Sequence, residues 1–135
     1  MLTLLNGQSH NHASSSSQGR HEAASHFARA TAYIGEHLRG EILLADIAAA
    51  ACCSPRTLAR AFKLAGVAPP MQYVYKLRLQ KVRVELLSPA SRAANVADIA
   101  FAWGYRHLGE FNRQYRAAFG ETPTQTRSGA LRRLA

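Results

Sequence analysis

Two short stretches of this sequence carry the same side chains at the same spacing. Leu58-Ala59-Arg60-Ala61-Phe62-Lys63 and Phe111-Asn112-Arg113-Gln114-Tyr115-Arg116 each read apolar, x, Arg, x, aromatic, base. Wound as a helix, the first sets Arg56, Ala59, Arg60 and Lys63 on one face at i, i+3, i+4 and i+7. The second sets Gly109, Asn112, Arg113 and Arg116 on one face and Leu108, Phe111, Tyr115 and Phe119 on the other. Guanidinium forks and a carboxamide can donate and accept at nucleobase edges, and cations can neutralise phosphates. No glycine-rich phosphate loop or nucleophile motif accompanies them, so catalysis is not expected. His10 and His12 have the spacing of a metal pair, but two ligands on a polar tail make a poor site, and no metal or cofactor is expected.

Each basic stretch needs a support that turns it outward. Ahead of the second, Val96, Ile99, Ala100 and Trp103 form a helical apolar face, Asn95 is a suitable N-cap, and Gly104 permits a left-handed turn. Ahead of the first, Leu44, Ile47, Ala48 and Ala51 repeat that face, and Ser54-Pro55 supplies a cap with proline at the first helical position. The exits also match, Gly66-Val67-Ala68-Pro69 against Gly120-Glu121-Thr122-Pro123. An ordinary surface helix with a solvated charged face would account for either stretch alone. It does not account for cap, turn, basic face and exit appearing twice.

The remaining chain is read around these two helix pairs. Residues 1–20 are polar, rich in serine and glycine and without period, which predicts a flexible linker or tail. From Glu22 a broken apolar stripe of Ala24, Phe27, Ala28, Tyr33, Ile34 and Leu38 predicts a helix ending at Gly40. The first helix pair falls at about residues 44–64, with helices near 44–52 and 55–64. A longer helix over 71–87 has Tyr73, Val74, Leu77, Val82, Leu86 and Leu87 inward and Lys76, Arg78, Lys81 and Arg83 as its basic residues. It acts as a spacer to the second pair at about 96–119. Residues 88–95 read as a loop, a short helical turn reaches Arg127, and 129–135 are a basic fringe without a clear fold. Leu58, Phe62, Trp103, Phe111, Tyr115 and Phe119 are expected in the core.

Length and charge bound the function. The 135 residues hold one compact domain, and 17 Lys and Arg against 8 Asp and Glu give a net charge of +9, which calls for an anionic partner. No apolar run is long enough for a membrane span, so a cytoplasmic protein is expected, with no membrane partner. The adjacent Cys52 and Cys53 read as two reduced, mostly packed thiols; a redox sensor is the weaker alternative, as no resolving cysteine stands elsewhere.

The fixed spacings resemble the DNA-binding domain of the AraC/XylS family of bacterial transcription regulators, over about Phe27 to Arg127 in a domain of residues 21–128. The resemblance rests on Ala48, Ser54-Pro55-Arg56-Thr57-Leu58, Arg60, Phe62-Lys63, Arg78-Leu79, Ile99-Ala100, Gly104-Tyr105, Phe111, Arg113, Tyr115-Arg116, Phe119-Gly120, Thr122-Pro123 and Arg127. It implies an all-α fold of about seven helices, two helix-turn-helix subdomains joined by the long helix, binding to double-stranded promoter DNA, and activation through RNA polymerase. A small-molecule effector is expected only if a separate sensor domain belongs to a longer chain. The sequence departs from the pattern at Leu43, in place of a Ser or Thr cap, at Cys52-Cys53 in the first turn, and at His107 and Gly109 entering the second basic helix.

These readings assign roles. Arg56, Ala59 and Arg60 are expected at base edges, Arg60 on a guanine through O6 and N7, a contact worth about 1–3 kcal/mol of discrimination. His107, Leu108, Asn112 and Arg113 are the candidates in the second helix, where Asn112 reads adenine or touches a phosphate. Lys63, Arg106 and Arg116 are expected on phosphates. The spacer would set the basic helices about one DNA turn, roughly 34 Å, apart. A basic helical module that coats nucleic acid without sequence preference is the alternative, and it would spread its cations around each helix.

Overall fold

The computed structural model describes residues 2–134, with side chains described for residues 16–133. Among the described residues the chain forms seven α-helices, one 3-10 turn and no strand. The helices are α1 (Leu2–His37), α2 (Leu44–Ala50), α3 (Pro55–Leu64), α4 (Pro70–Leu87), α5 (Val96–Ala102), α6 (Leu108–Phe119) and α7 (Pro123–Leu134), with the 3-10 turn at Pro89–Ser91. None of them is long and apolar enough to cross a membrane. They divide into two compact units: Met1–Glu36 with Leu43–Pro70, and His37–Ile42 with Met71–Ala135.

In the first unit, periodicity alone places the buried faces. Ala30 and Ile34 on α1, Ile47 and Ala48 on α2, and Leu58, Ala61 and Phe62 on α3 are buried. Phe27 meets Phe62 edge to face, with ring centroids 4.9 Å apart. Ala24 and Ala28, expected on the inner stripe, are exposed, because the buried stripe runs through Phe27, Ala30 and Ile34 instead. His26 Nδ1 hydrogen-bonds the Ala51 carbonyl at 2.8 Å, satisfying an acceptor where α2 has ended. Since a carbonyl only accepts, Nδ1 carries the proton.

Where a tail was expected, the backbone is helical: α1 begins at Leu2, and residues 16–20 are helical with exposed side chains. Extending an existing helix adds one hydrogen bond per residue without a new nucleus, so weak helix formers can be carried along. His10 and His12 lie outside the residues whose side chains are described.

The second unit is built on α4. Leu79, Val82 and Leu86 share one core with Ile99, Ala100, Tyr105, Phe111 and Tyr115, and Trp103 and Phe119 pack against it half-buried. The expected spacer is thus also a core helix. Its Arg78 is no surface cation: it is buried, with Nε donating to the Leu38 carbonyl at 3.0 Å and Nη2 to that of Gly40. Burial lowers its pKa, yet a guanidinium stays charged in proteins. Arg83 is also committed, lying 3.4 Å from Glu121 and over the Phe119 ring.

The last helix outruns its expectation. Thr122 and Gln125 form a reciprocal cap, the Thr122 amide donating to Gln125 Oε1 at 2.8 Å and the Gln125 amide to Thr122 Oγ1 at 3.1 Å. From that start α7 runs to Leu134, burying Thr126, Arg127 and Ala130. Arg127 donates to the Ser91 and Ala94 carbonyls at 2.8 Å each, fixing the loop that leads into α5.

The two inter-helix turns are the same turn with different residues. Cys53 N reaches Ala48 O at 3.0 Å in the first, and Tyr105 N reaches Ala100 O at 3.1 Å in the second. The left-handed residue is Cys52 (φ +59°) in one and Gly104 (φ +92°) in the other. That turn ends α2 at Ala50, short of the expected 52, and leaves Cys52 exposed rather than packed, with Cys53 half-buried. A left-handed residue with a side chain costs about 1–2 kcal/mol, less what glycine loses in the unfolded chain. Cys52→Gly should therefore stabilise the protein by about 0.5–1 kcal/mol in urea unfolding. Gly104→Ala should cost more than Gly120→Ala: both have positive φ, but a Cβ at 104 meets the Arg78 guanidinium at 3.2 Å whereas one at 120 meets nothing within 4 Å.

Candidate nucleic-acid interface

Helix α3 is oriented by its first turn. Ser54 Oγ accepts from the Thr57 amide at 3.1 Å and donates to Thr57 Oγ1 at 3.0 Å, with Pro55 supplying a preset φ at the first helical position. With Leu58, Ala61 and Phe62 buried, geometry leaves Arg56, Ala59, Arg60 and Lys63 outside, and all four are exposed. Among the described residues Arg56, Arg60 and Lys63 pair with no carboxylate. Arg56, Ala59 and Lys63 run along the outer face; Arg60 instead lines an open groove with α1, beside Arg20.

Helix α6 repeats the division. Phe111 and Tyr115 are buried, Asn112, Arg113 and Arg116 are exposed, and Gly120 ends the helix left-handed at φ +73°. Tyr105 stacks 4.9 Å from Phe111, and burial pushes its hydroxyl pKa up to about 12. It stays neutral and lies 3.2 Å from Gln114 Oε1, while Gln114 Nε2 donates to Glu110 at 3.1 Å. Tyr115 donates to Thr126 Oγ1 at 2.8 Å, tying α6 to α7.

Asn112, Arg113 and Arg116 come together in one open groove whose other wall is Thr122, Pro123 and Thr124 at the start of α7. His107 and Leu108 do not line it. They sit exposed at the beginning of α6, where His107 occupies the cap position and makes no capping hydrogen bond. Arg106 is exposed and 3.6 Å from Glu41, so it already has a carboxylate that an incoming phosphate would have to displace. The wall formed by α7 was missed in the sequence, although Thr122-Pro123-Thr124-Gln125 spells a capping box with proline at the first helical position.

The cations thus fall into two sets. Arg78, Arg127, Arg83 and Arg39, the last lying 4.0 Å from the Trp103 ring centre, are bound to the protein's own carbonyls, carboxylate and rings. Arg56, Arg60, Lys63, Arg113 and Arg116 are exposed and pair with no carboxylate among the described residues. One set is committed to contacts within the fold, and the other is left for an anion.

Known proteins share this chain's sequence and fold. The profile of a family described as a helix-turn-helix domain matches residues 47–129. The XylDLEGF operon transcriptional activator of Pseudomonas putida is 35% identical over 100 residues, covering 74% of this chain and 31% of that protein. The regulatory protein HrpB of Ralstonia nicotianae is 32% identical over 101 residues, covering 74% and 21%. The chain therefore spans about a third or less of the length of these curated relatives. Among solved structures, a probable AraC family transcriptional regulator from Rhodopseudomonas palustris superposes with a TM-score of 0.69 at 30% identity, over 78% of this chain and 96% of that one. A transcriptional regulator with an AraC-type DNA-binding domain from Chromobacterium violaceum gives 0.70 at 26%, over 78% and 91%.

The unequal caps give a direct test. Ser54→Ala should destabilise by about 1 kcal/mol and speed amide exchange at Thr57. His107→Ser, which supplies the missing cap to α6, should stabilise by a similar amount. Thermal unfolding of both variants against the parent measures each, and a melting temperature that is unchanged for Ser54→Ala or lowered for His107→Ser would contradict the assigned caps.

Proposed function

We propose a sequence-specific DNA-binding transcription regulator, because this chain belongs to the AraC/XylS family of bacterial transcription regulators. The reading has α3 and α6 each entering a major-groove segment of double-stranded promoter DNA, one per unit. One observation carries it: the same left-handed turn and apolar inner face twice present a solvated basic helix face.

On this reading Arg56, Ala59 and Arg60 lie at base edges in the first half-site, and Ala59 offers only a methyl group. His107, Leu108, Asn112 and Arg113 serve the second, with Asn112 on adenine N6 and N7. Lys63, Arg106 and Arg116 hold phosphates and set register. Activation is the direction of control suggested by the relatives whose names call them activators, RNA polymerase is the partner such control would engage, and the working compartment is the cytoplasm. A small-molecule effector enters only through a sensor domain carried on a longer chain.

A nucleic-acid coat without sequence preference is disfavoured by the distribution of charge, since α3 and α6 bury the face opposite their cations. Selection of duplexes from a randomised pool at near-physiological salt separates the two. Two short enriched motifs are expected; tight binding without enrichment would leave the coat reading. On the selected site, Arg60→Ala and Arg113→Ala should each cost about 1–3 kcal/mol and relax one base. Lys63→Ala should weaken all DNA alike and lower the salt slope by about one. Equal losses on selected and random DNA for all three would defeat the base-reading roles.

A further inference from the structure

The first unit contains a groove that the two basic helix faces do not explain. It lies between α1 and α3 and is lined from α1 by Ser16, Gly19, Arg20, Glu22, Ala23 and His26, and from α3 by Thr57, Arg60, Ala61 and Leu64. The α1 residues are spaced as one stripe: 16, 19, 20, 23 and 26 follow the helical repeat. That stripe is continuous with Phe27, Ala30 and Ile34, which face the apolar interior. Helix α1 therefore runs on past the core beside α3 and changes chemistry as it does so.

Three of the five residues that replace the apolar stripe are small, and the other two are Arg20 and His26. Ser16, Gly19 and Ala23 leave space that a leucine or phenylalanine would fill, and Arg20 is the long cation among them. Across the groove stands Arg60. Both guanidiniums are exposed, and neither pairs with a carboxylate among the described residues, although Glu22 lines the same groove. Two unpaired guanidiniums in one cleft raise its positive potential, which draws an anion to Arg20 while Arg60 is left for the base it reads. The His26 bond to the Ala51 carbonyl fixes the rotation of α1 and so keeps Arg20 on the α3 side.

Resting on the DNA-binding reading above, we propose that this groove is a phosphate site of the DNA complex, in which Arg20 of α1 holds a backbone phosphate beside the segment entered by α3. Arg20 thus becomes a positioning contact supplied from outside the helix-turn-helix. Glu22 works against it, its carboxylate raising the local negative charge that the phosphate must approach. A guanidinium suits the task because its planar fork meets two phosphate oxygens together.

The test uses the whole chain and the duplex selected from the random pool, with affinity followed over a range of salt. Arg20→Ala should weaken binding several-fold on selected and random DNA alike and lower the magnitude of the salt slope by about 0.9. Glu22→Gln should strengthen binding. Gly19→Leu, which fills the groove without changing charge, should weaken it while circular dichroism stays that of the parent. Arg29→Ala is the control for overall charge, since Arg29 is an exposed residue of α1 that does not line the groove. Equal losses for Arg20→Ala and Arg29→Ala would overturn the site, as would an unchanged salt slope for Arg20→Ala. A parent chain that enriches no sequence would instead overturn the function proposed above, so the two failures are distinguishable.

Discussion

Much of the second unit hangs on one buried guanidinium. Arg78 sits inside α4, takes the Leu38 and Gly40 carbonyls with its fork, and lies so close to Gly104 that no larger residue fits there undisturbed. A buried charge is tolerated only when it is fully hydrogen-bonded, so these carbonyls, the arginine and the glycine are mutually required. Arg127 on α7 uses its two terminal nitrogens in a related way, closing the loop before α5 through the Ser91 and Ala94 carbonyls. Arg127 thus holds the entry to the α5–α6 pair through backbone, and Arg78 packs against the Gly104 turn between its two helices.

The repeated turn shows what is conserved in physics when residue type is not. Both copies close by an amide reaching back to the carbonyl five residues earlier, through a left-handed residue. Gly104 adopts that conformation at no steric cost and has Arg78 against it; Cys52 is exposed, so its Cβ strain is the main cost. The first copy compensates with the better entry, Ser54 capping α3, while α6 begins at His107 with no side-chain cap. Each helix pair thus has one well-made and one poorly made end.

Charge is sorted by solvation. Arginines that satisfy backbone carbonyls are buried, Arg83 between Glu121 and Phe119 is partly covered, and those on the outer faces of α3 and α6 remain wet. The last set keeps the solvated counter-charge interactions that a polyanion can replace, which is where part of the net charge of +9 becomes a surface rather than a number.

Local chemistry in the sequence determined the helices. The Ser54 and Asn95 caps, the Pro55 start, the glycine exits and the 3.6-residue rhythm placed α3 at its observed bounds and α5, α6 and the inner faces close to theirs, since each depends on neighbours within one or two turns. Two local signals were passed over: the Thr122-Gln125 capping box, which starts a full α7, and the small-residue stripe that carries α1 alongside α3. Tertiary structure alone decided which cations are free. Arg78 falls on the stripe of Val74, Val82 and Leu86, so periodicity turns it inward but names no partner for it, and Arg106 looks as free as Arg113. What separates them is a partner far along the chain, such as Leu38, 40 residues from Arg78. Periodicity reports a face, whereas pairing across folded segments depends on which faces come to meet.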